Sequence, residues 1–152
     1  MKVVFLDYDG VVNRRMWETV GGTWVCRYGY PEDGAVNDRQ AVQWVSEFCE
    51  KQGYHIVVTS TWRKYPGWDD CLRAAGLRES VRILGATGEK RASRGEEIDE
   101  YLRCRPEITR YLIFDDRDDL GVHRKYLVKC DPAYGFGEKE YEKAIWLDSD
   151  LR

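Results

Sequence analysis

A chain of 152 residues has room for one domain and little for a second. Hydrophobic residues make up 43% and charged residues 34%, the balance of a globular protein rather than a disordered one. With 24 basic against 27 acidic residues the net charge is −3, which excludes a protein that coats nucleic acid by bulk charge and still permits a local basic patch.

Short apolar runs alternate with helical patterns along the chain. Val3–Leu6 reads as a strand buried on both faces and ends at Asp7. Asn13–Asn37 lacks helical periodicity; within it Thr23–Tyr30 is read as a small hairpin, ended by Pro31 and Gly34. A helix follows over Asp38–Gln52, with Ala41, Val42, Val45, Phe48 and Cys49 on one face, Asn37 or Asp38 as its cap and Gly53 at its end. His55–Val58 is a second buried strand, Trp68–Ala75 a short helix and Val81–Leu84 a third strand. Gly95–Arg103 is predicted helical, Arg110–Phe114 and Tyr126–Val128 are predicted strands, and Lys139–Leu147 closes the pattern as a helix. Trp44 and Trp146 fall on helices and are expected in the core. Strands alternating with helices imply the α/β class, a doubly wound, mostly parallel sheet whose reactive groups gather at the strands' carboxyl ends.

Cysteine usage narrows the chemistry. Cys26, Cys49, Cys71, Cys104 and Cys130 are odd in number and include no Cys-x-x-Cys pair, and His55 and His123 have no partner at ligand spacing. Neither a zinc site nor a disulfide framework is expected. The start of the chain reaches Asp7 too soon for a signal peptide, and no apolar run approaches a membrane span. A cytoplasmic protein with reduced thiols and no membrane partner is the expectation.

Polar clusters follow three of the strands. In Asp7-Tyr8-Asp9-Gly10 the two carboxylates can point the same way, roughly 6–7 Å apart by strand rise. Held that close they repel unless a cation sits between them or one keeps its proton; two solvated turn aspartates are the plainer alternative. Thr59-Ser60-Thr61-Trp62-Arg63 supplies hydroxyls and an arginine, which suit a tetrahedral oxyanion and equally suit the cap of a following helix. Asp115-Asp116-Arg117-Asp118-Asp119 places adjacent carboxylates directly after a buried strand, as ligands for a hard cation would be. Between these, Glu89 to Glu97 opens a helix with Lys90, Arg91 and Arg94 set against its macrodipole, a conflict a bound anion would relieve.

Asp-x-Asp-Gly, then a hydroxyl, then a basic residue, then an acidic pair, each at a strand or helix end, resembles the haloacid dehalogenase (HAD) superfamily of phosphotransferases. Ser60-Thr61-Trp62-Arg63, Arg94-Gly95-Glu96-Glu97-Ile98 with Tyr101-Leu102, and Phe114-Asp115-Asp116 look like its small subfamily in bacterial RNA-repair proteins. Leu127–Pro132 through Gly135 and the helix with Ala144-Ile145 extend that likeness over nearly the whole chain, and Asp115-Asp116-Arg117 is similar to the phosphatase half of phage polynucleotide kinase–phosphatases.

The resemblance implies a single HAD-like domain over residues 1–152, with Asn13–Asn37 as a flap and no separate cap domain. It implies a phosphatase in which Asp7 is the nucleophile that becomes an aspartyl-phosphate and Asp9 the acid and base. Mg²⁺ would be held by Asp7, the backbone carbonyl of Asp9 and Asp116, with Asp115 or Asp119 acting through water. Ser60 would bind a phosphate oxygen, with Thr59 or Thr61 as substitutes. Arg94 is preferred over Lys90 as the basic residue, since its planar fork bridges a phosphate and a carboxylate.

An open site suits a bulky phosphorylated substrate such as a nucleic-acid end, a nucleotide or a phosphoprotein. Trp62 and Arg63 stand beside the site as substrate-binding candidates. Trp17, Trp24, Tyr28 and Tyr30, among Arg14, Arg15 and Arg27, either stack bases or pack the flap onto the domain. Two other classes compete. A receiver-like signalling module has its adjacent acids at the first strand, whereas here the adjacent pair comes late. An idle HAD-like binding module has no need of Asp7, Asp9, Ser60, Arg94 and Asp116 together.

Overall fold

The computed structural model describes residues 1–28, 37–88 and 93–151. In chain order its first elements are β1 (Lys2–Leu6), β2 (Arg15–Val20), β3 (Thr23–Tyr28), α1 (Arg39–Gln52) and β4 (Tyr54–Val58). There follow α2 (Trp68–Ala74), β5 (Ile83–Ala86), α3 (Arg94–Arg103), β6 (Arg110–Asp115), β7 (Leu127–Lys129) and α4 (Glu138–Asp150). Single 3₁₀ segments at Thr61–Lys64 and Gly121–Tyr126 lead into α2 and β7.

The apolar runs form the middle of one sheet. Its order is β5-β4-β1-β6-β7, and every pairing is parallel. β1 lies between β4 and β6 with Val3–Leu6 fully buried, as its unbroken apolar sequence requires. Helices cover both faces. Ala41, Val42, Val45 and Phe48 of α1 join Leu72 of α2 and Ala144 of α4 against one face, and Ile98 and Tyr101 of α3 cover the other with Leu120. This is a Rossmann-like α/β fold.

Local chemistry fixes the ends of α1. Asp38 accepts from the backbone N–H groups of Gln40 (2.9 Å) and Ala41 (3.4 Å), and Gly53 closes the helix with φ +72°. Of the two expected caps Asp38 takes the role, while Asn37 turns inward. Three expectations need correction. The hairpin begins at Arg15 rather than Thr23, because Gly21 and Gly22 (φ +58° and +82°) supply the two-residue turn that joins β2 to β3. Its expected end at Pro31 and Gly34 lies outside the described residues, as do Tyr30, Lys90 and the side chains of Arg15, Trp17, Arg27 and Tyr28. The third strand is Ile83–Ala86, since Val81 is spent in the preceding turn. Trp146 is 64% exposed: Ala144, Leu147 and Asp148 form the buried stripe of α4, and position 146 points away from it.

At the amino ends of the strands Asp148 closes a buried polar network. It accepts from the Tyr54 hydroxyl (2.6 Å) and Arg110 (3.2 Å), with the Lys2 ammonium at 3.8 Å. Burial pushes the Asp148 carboxyl up, but the Tyr54 hydrogen bond and the Lys2 and Arg110 charges outweigh it and hold the group below the usual carboxylate range. A lowered folded-state pKa contributes stability that is present above the unfolded value and lost as pH falls through the folded one. Asp148→Asn should therefore lie below the parent in urea midpoint at pH 7, and the gap should close on acidification below pH ~4. A gap that is constant with pH would remove the charge from the account.

Candidate active site

The carboxyl ends of β1, β4 and β6 deliver the functional side chains to one edge. The ladder runs one residue past the strands: Asp7 N–H donates to the Phe114 carbonyl (3.0 Å) and Thr59 N–H to the Leu6 carbonyl (2.9 Å). Asp7, Thr59 and Asp115 are thereby fixed by backbone, and all three are buried. After Asp7 the chain turns tightly, with the Tyr8 carbonyl accepting from Val11, Val12 and Asn13. Gly10 permits the turn (φ +84°) and a close approach; a Cβ there would stand 2.5 Å from an Asp116 carboxylate oxygen.

Asp7, Asp115 and Asp116 come together, each with a carboxylate oxygen within 4.8 Å of the others. Arg94, buried at the start of α3, is the cation among them. Its Nη1 lies 2.9 Å from Asp115, 3.5 Å from Asp7 and 2.8 Å from the Thr59 hydroxyl. Burial pushes the Asp115 carboxyl up, the Asp7 charge adds to this, and Arg94 opposes it. The Asp7 carboxyl is also raised, by burial first, with Arg94 opposing and Asp116 adding. Among the described residues, three carboxylates with Arg94 as their paired cation leave negative charge uncompensated in a largely buried place. The donor set therefore fits a hard divalent cation.

Arg94 also answers the dipole conflict at the helix N-terminus. It turns into the acidic cluster, while Ser93 caps the helix by accepting from Glu96 N–H (3.2 Å) and Asp119 accepts from Arg94 N–H (3.3 Å). Asp119 additionally binds the Arg117 guanidinium through both oxygens, and the Arg94 charge is met by Asp115, Asp7 and Glu97; Arg91, like Lys90, lies outside the described residues.

The remaining candidates divide by position. Asp9 accepts from the Trp62 indole N–H (2.9 Å) and from Asn13 Nδ2 (3.1 Å). Ser60, 1% exposed, caps the 3₁₀ turn by accepting from Trp62 N–H (3.2 Å). Thr61 is exposed beside Asp9. Arg63 is turned inward rather than toward a ligand. It donates to the carbonyls of Thr59 and Gly88 and pairs with Glu97 at 3.1 Å, tying the end of β4 to α3.

A family model for the HAD domain in Swiss Army Knife RNA repair proteins matches residues 3–141. The chain belongs to this family. No curated protein matches it. Membership supports a phosphatase-type activity for this HAD domain. Among the described residues, no helix is long and apolar enough to cross a membrane.

Three residues around the site escaped the sequence. Asn13 holds Asp9 and is held in turn by Asn37, whose Nδ2 donates to its Oδ1 (2.8 Å). Asn13 ends the apolar run Val11-Val12, and that is its only signal. Glu97 joins Arg63 to Arg94, its Oε2 lying 3.7 Å from Arg94 Nε; it stands in the stretch Arg94–Ile98 that carries the family resemblance, but nothing in the sequence gives it this role. Tyr65, 63% exposed, stands beside Trp62 with ring centroids 6.1 Å apart, and nothing in its sequence neighbourhood marks it.

Proposed function

We propose that this HAD domain is a Mg²⁺-dependent phosphomonoesterase that works through an aspartyl-phosphate on Asp7, with a nucleic-acid end or a nucleotide as substrate. The observation that carries the proposal is Asp7 itself. It is a buried carboxylate at a strand end, beside Asp115, Asp116 and Arg94, with Asp9 two residues on and held through its Oδ1 by Trp62 and Asn13.

Asp7 attacks phosphorus in line, and the bond from phosphorus to the ester oxygen breaks. Asp9 gives its proton to that departing oxygen, then takes one from the water that attacks the aspartyl-phosphate. The bond from phosphorus to the Asp7 oxygen breaks, which frees inorganic phosphate and restores the carboxylate. Ser60 donates its hydroxyl hydrogen to a phosphate oxygen. Thr61 is the exposed substitute, and Thr59 serves chiefly to seat Arg94, whose guanidinium balances charge at the nucleophile. Asp7, Asp116 and the Asp9 carbonyl would hold Mg²⁺, with Asp115 behind them; when bound, the ion would neutralise charge between carboxylate and phosphate.

We read the whole chain as one domain, with the β2–β3 hairpin standing where relatives carry a cap. Trp24 on it is 67% exposed, which agrees better with a role toward a ligand than with packing. A cytoplasmic setting suits repair of RNA. The test is phosphate release from a 3′-phosphorylated oligonucleotide with Mg²⁺ and with chelator. Release should require the metal, and Asp116→Ala should need at least about tenfold more Mg²⁺ for half-maximal rate, the scale expected when metal affinity is lost. Metal-independent release would overturn the mechanism; release from 5′ ends or free nucleotides alone would redirect the substrate.

A further inference from the structure

We propose that the pocket beside Asp9, walled by Thr61, Trp62 and Tyr65, is the leaving-group subsite, and that it takes a nucleoside whose base lies against the Tyr65 ring. The inference rests on the phosphatase reading above and names the substrate class for that site. The pocket holds about 440 Å³ and is open to solvent. That volume is in the range of small-molecule pockets and leaves space for a sugar as well as a planar ring.

Position and chemistry make the argument together. Asp9 forms one wall, and the oxygen that departs from phosphorus must lie near Asp9 to receive its proton. Whatever that oxygen belongs to therefore extends into this pocket. Its lining is two aromatic rings, the hydroxyls of Thr61 and Tyr65, and one carboxylate. No cation lines it among the described residues, so it does not suit a second anionic group of a small metabolite. The ring faces suit a flat, uncharged partner, and Thr61 offers a hydroxyl to a sugar.

The two rings are held differently. Trp62 is half-buried, packed against the core and pinned by its bond to Asp9, so its plane is preset. Tyr65 meets it edge-on at 63° and is 63% exposed, so most of its ring remains open to solvent. Tyr65 is anchored through its backbone, its N–H donating to the Trp62 carbonyl (3.0 Å). The side chain is thus free to serve a ligand, and its replacement should leave the fold in place. A stacked base contributes on the order of 1–3 kcal/mol, about five- to 150-fold in binding.

The readout is a ratio, kcat/KM for adenosine 3′-monophosphate over that for glycerol 2-phosphate, which has no ring. Tyr65→Ala should lower this ratio about tenfold or more, and Tyr65→Phe should preserve it. An unchanged ratio in Tyr65→Ala overturns the subsite, and so does a loss in Tyr65→Phe equal to that in Tyr65→Ala, since stacking needs the ring and not the hydroxyl. A wild-type preference for phosphotyrosine peptide over the nucleotide would also overturn it. Calorimetric binding of adenosine 3′-monophosphate to the Asp7→Asn protein separates the two levels. Binding weakened by Tyr65→Ala without any turnover in the wild type would sink the phosphatase reading and keep the subsite. Turnover with binding indifferent to Tyr65 would do the reverse.

Discussion

Arg94→Met is expected to cost the fold about 3–5 kcal/mol, measured by urea unfolding in the presence of chelator. The side chain is buried, and so are its partners: Asp115 is 0% exposed and Asp7 5%. Methionine fills much of the volume but leaves two carboxylates in a dry place with their cation gone. Coulomb attraction within the cluster does not have to exceed the cost of desolvation for this to hold; removing the cation strands the acids. The same substitution in an Asp115→Asn background should cost much less, because one of the stranded charges is already absent. Equal costs in both backgrounds would mean that Arg94 stabilises by packing alone. Activity should fall too, since Thr59 and Asp7 both take their positions from the same guanidinium nitrogen.

Asp7→Asn should lower turnover by on the order of 10⁴-fold or more, the scale seen when a nucleophile is removed from a set of groups that act as a unit. Stability should move the other way or not at all. Burial and Asp116 raise the Asp7 carboxyl, so in the absence of metal the charge is held at a cost, and the neutral amide avoids it. The informative result is the pair of measurements together. Loss of phosphate release with an unchanged or higher urea midpoint assigns Asp7 to chemistry. Loss of both would describe a structural residue, and retained turnover would remove the aspartyl-phosphate from the mechanism.

The legible parts of this fold are those that short-range rules determine. Val3–Leu6 could be read as a buried strand because nothing polar interrupts it, and α1 because Asp38 and Gly53 mark both ends. The convergence of Asp7, Asp115 and Asp116 followed from one rule, that strand ends in a parallel sheet face the same way. Arg63 shows where such rules stop. Its neighbours in sequence suggest an anion ligand, but its acceptors are the carbonyls of Thr59 and Gly88 and the carboxylate of Glu97, and only the packed fold places the last two beside it. Trp146 fails for a similar reason, because size argues for burial while helix phase decides direction. The start of the hairpin is encoded in Gly21-Gly22 between two β-prone pairs, a turn signal that the aromatic run after it obscures.

The position of β1 has a consequence for synthesis. Lys2 is in register with Tyr54 on one side and Arg110 on the other, so the strand leaves the ribosome long before either partner exists. Until residues near 110 have emerged, Val-Val-Phe-Leu presents an open edge, and closing that edge requires bridging most of the chain. Parallel pairing at such separation is slow and exposes apolar strand in the meantime. A nascent or truncated chain that stops before β6 therefore lacks more than a strand. Its central strand has one side unpaired, and Asp7 has no Phe114 carbonyl to fix it. Asp7 is made well before the Phe114 carbonyl that sets it in place.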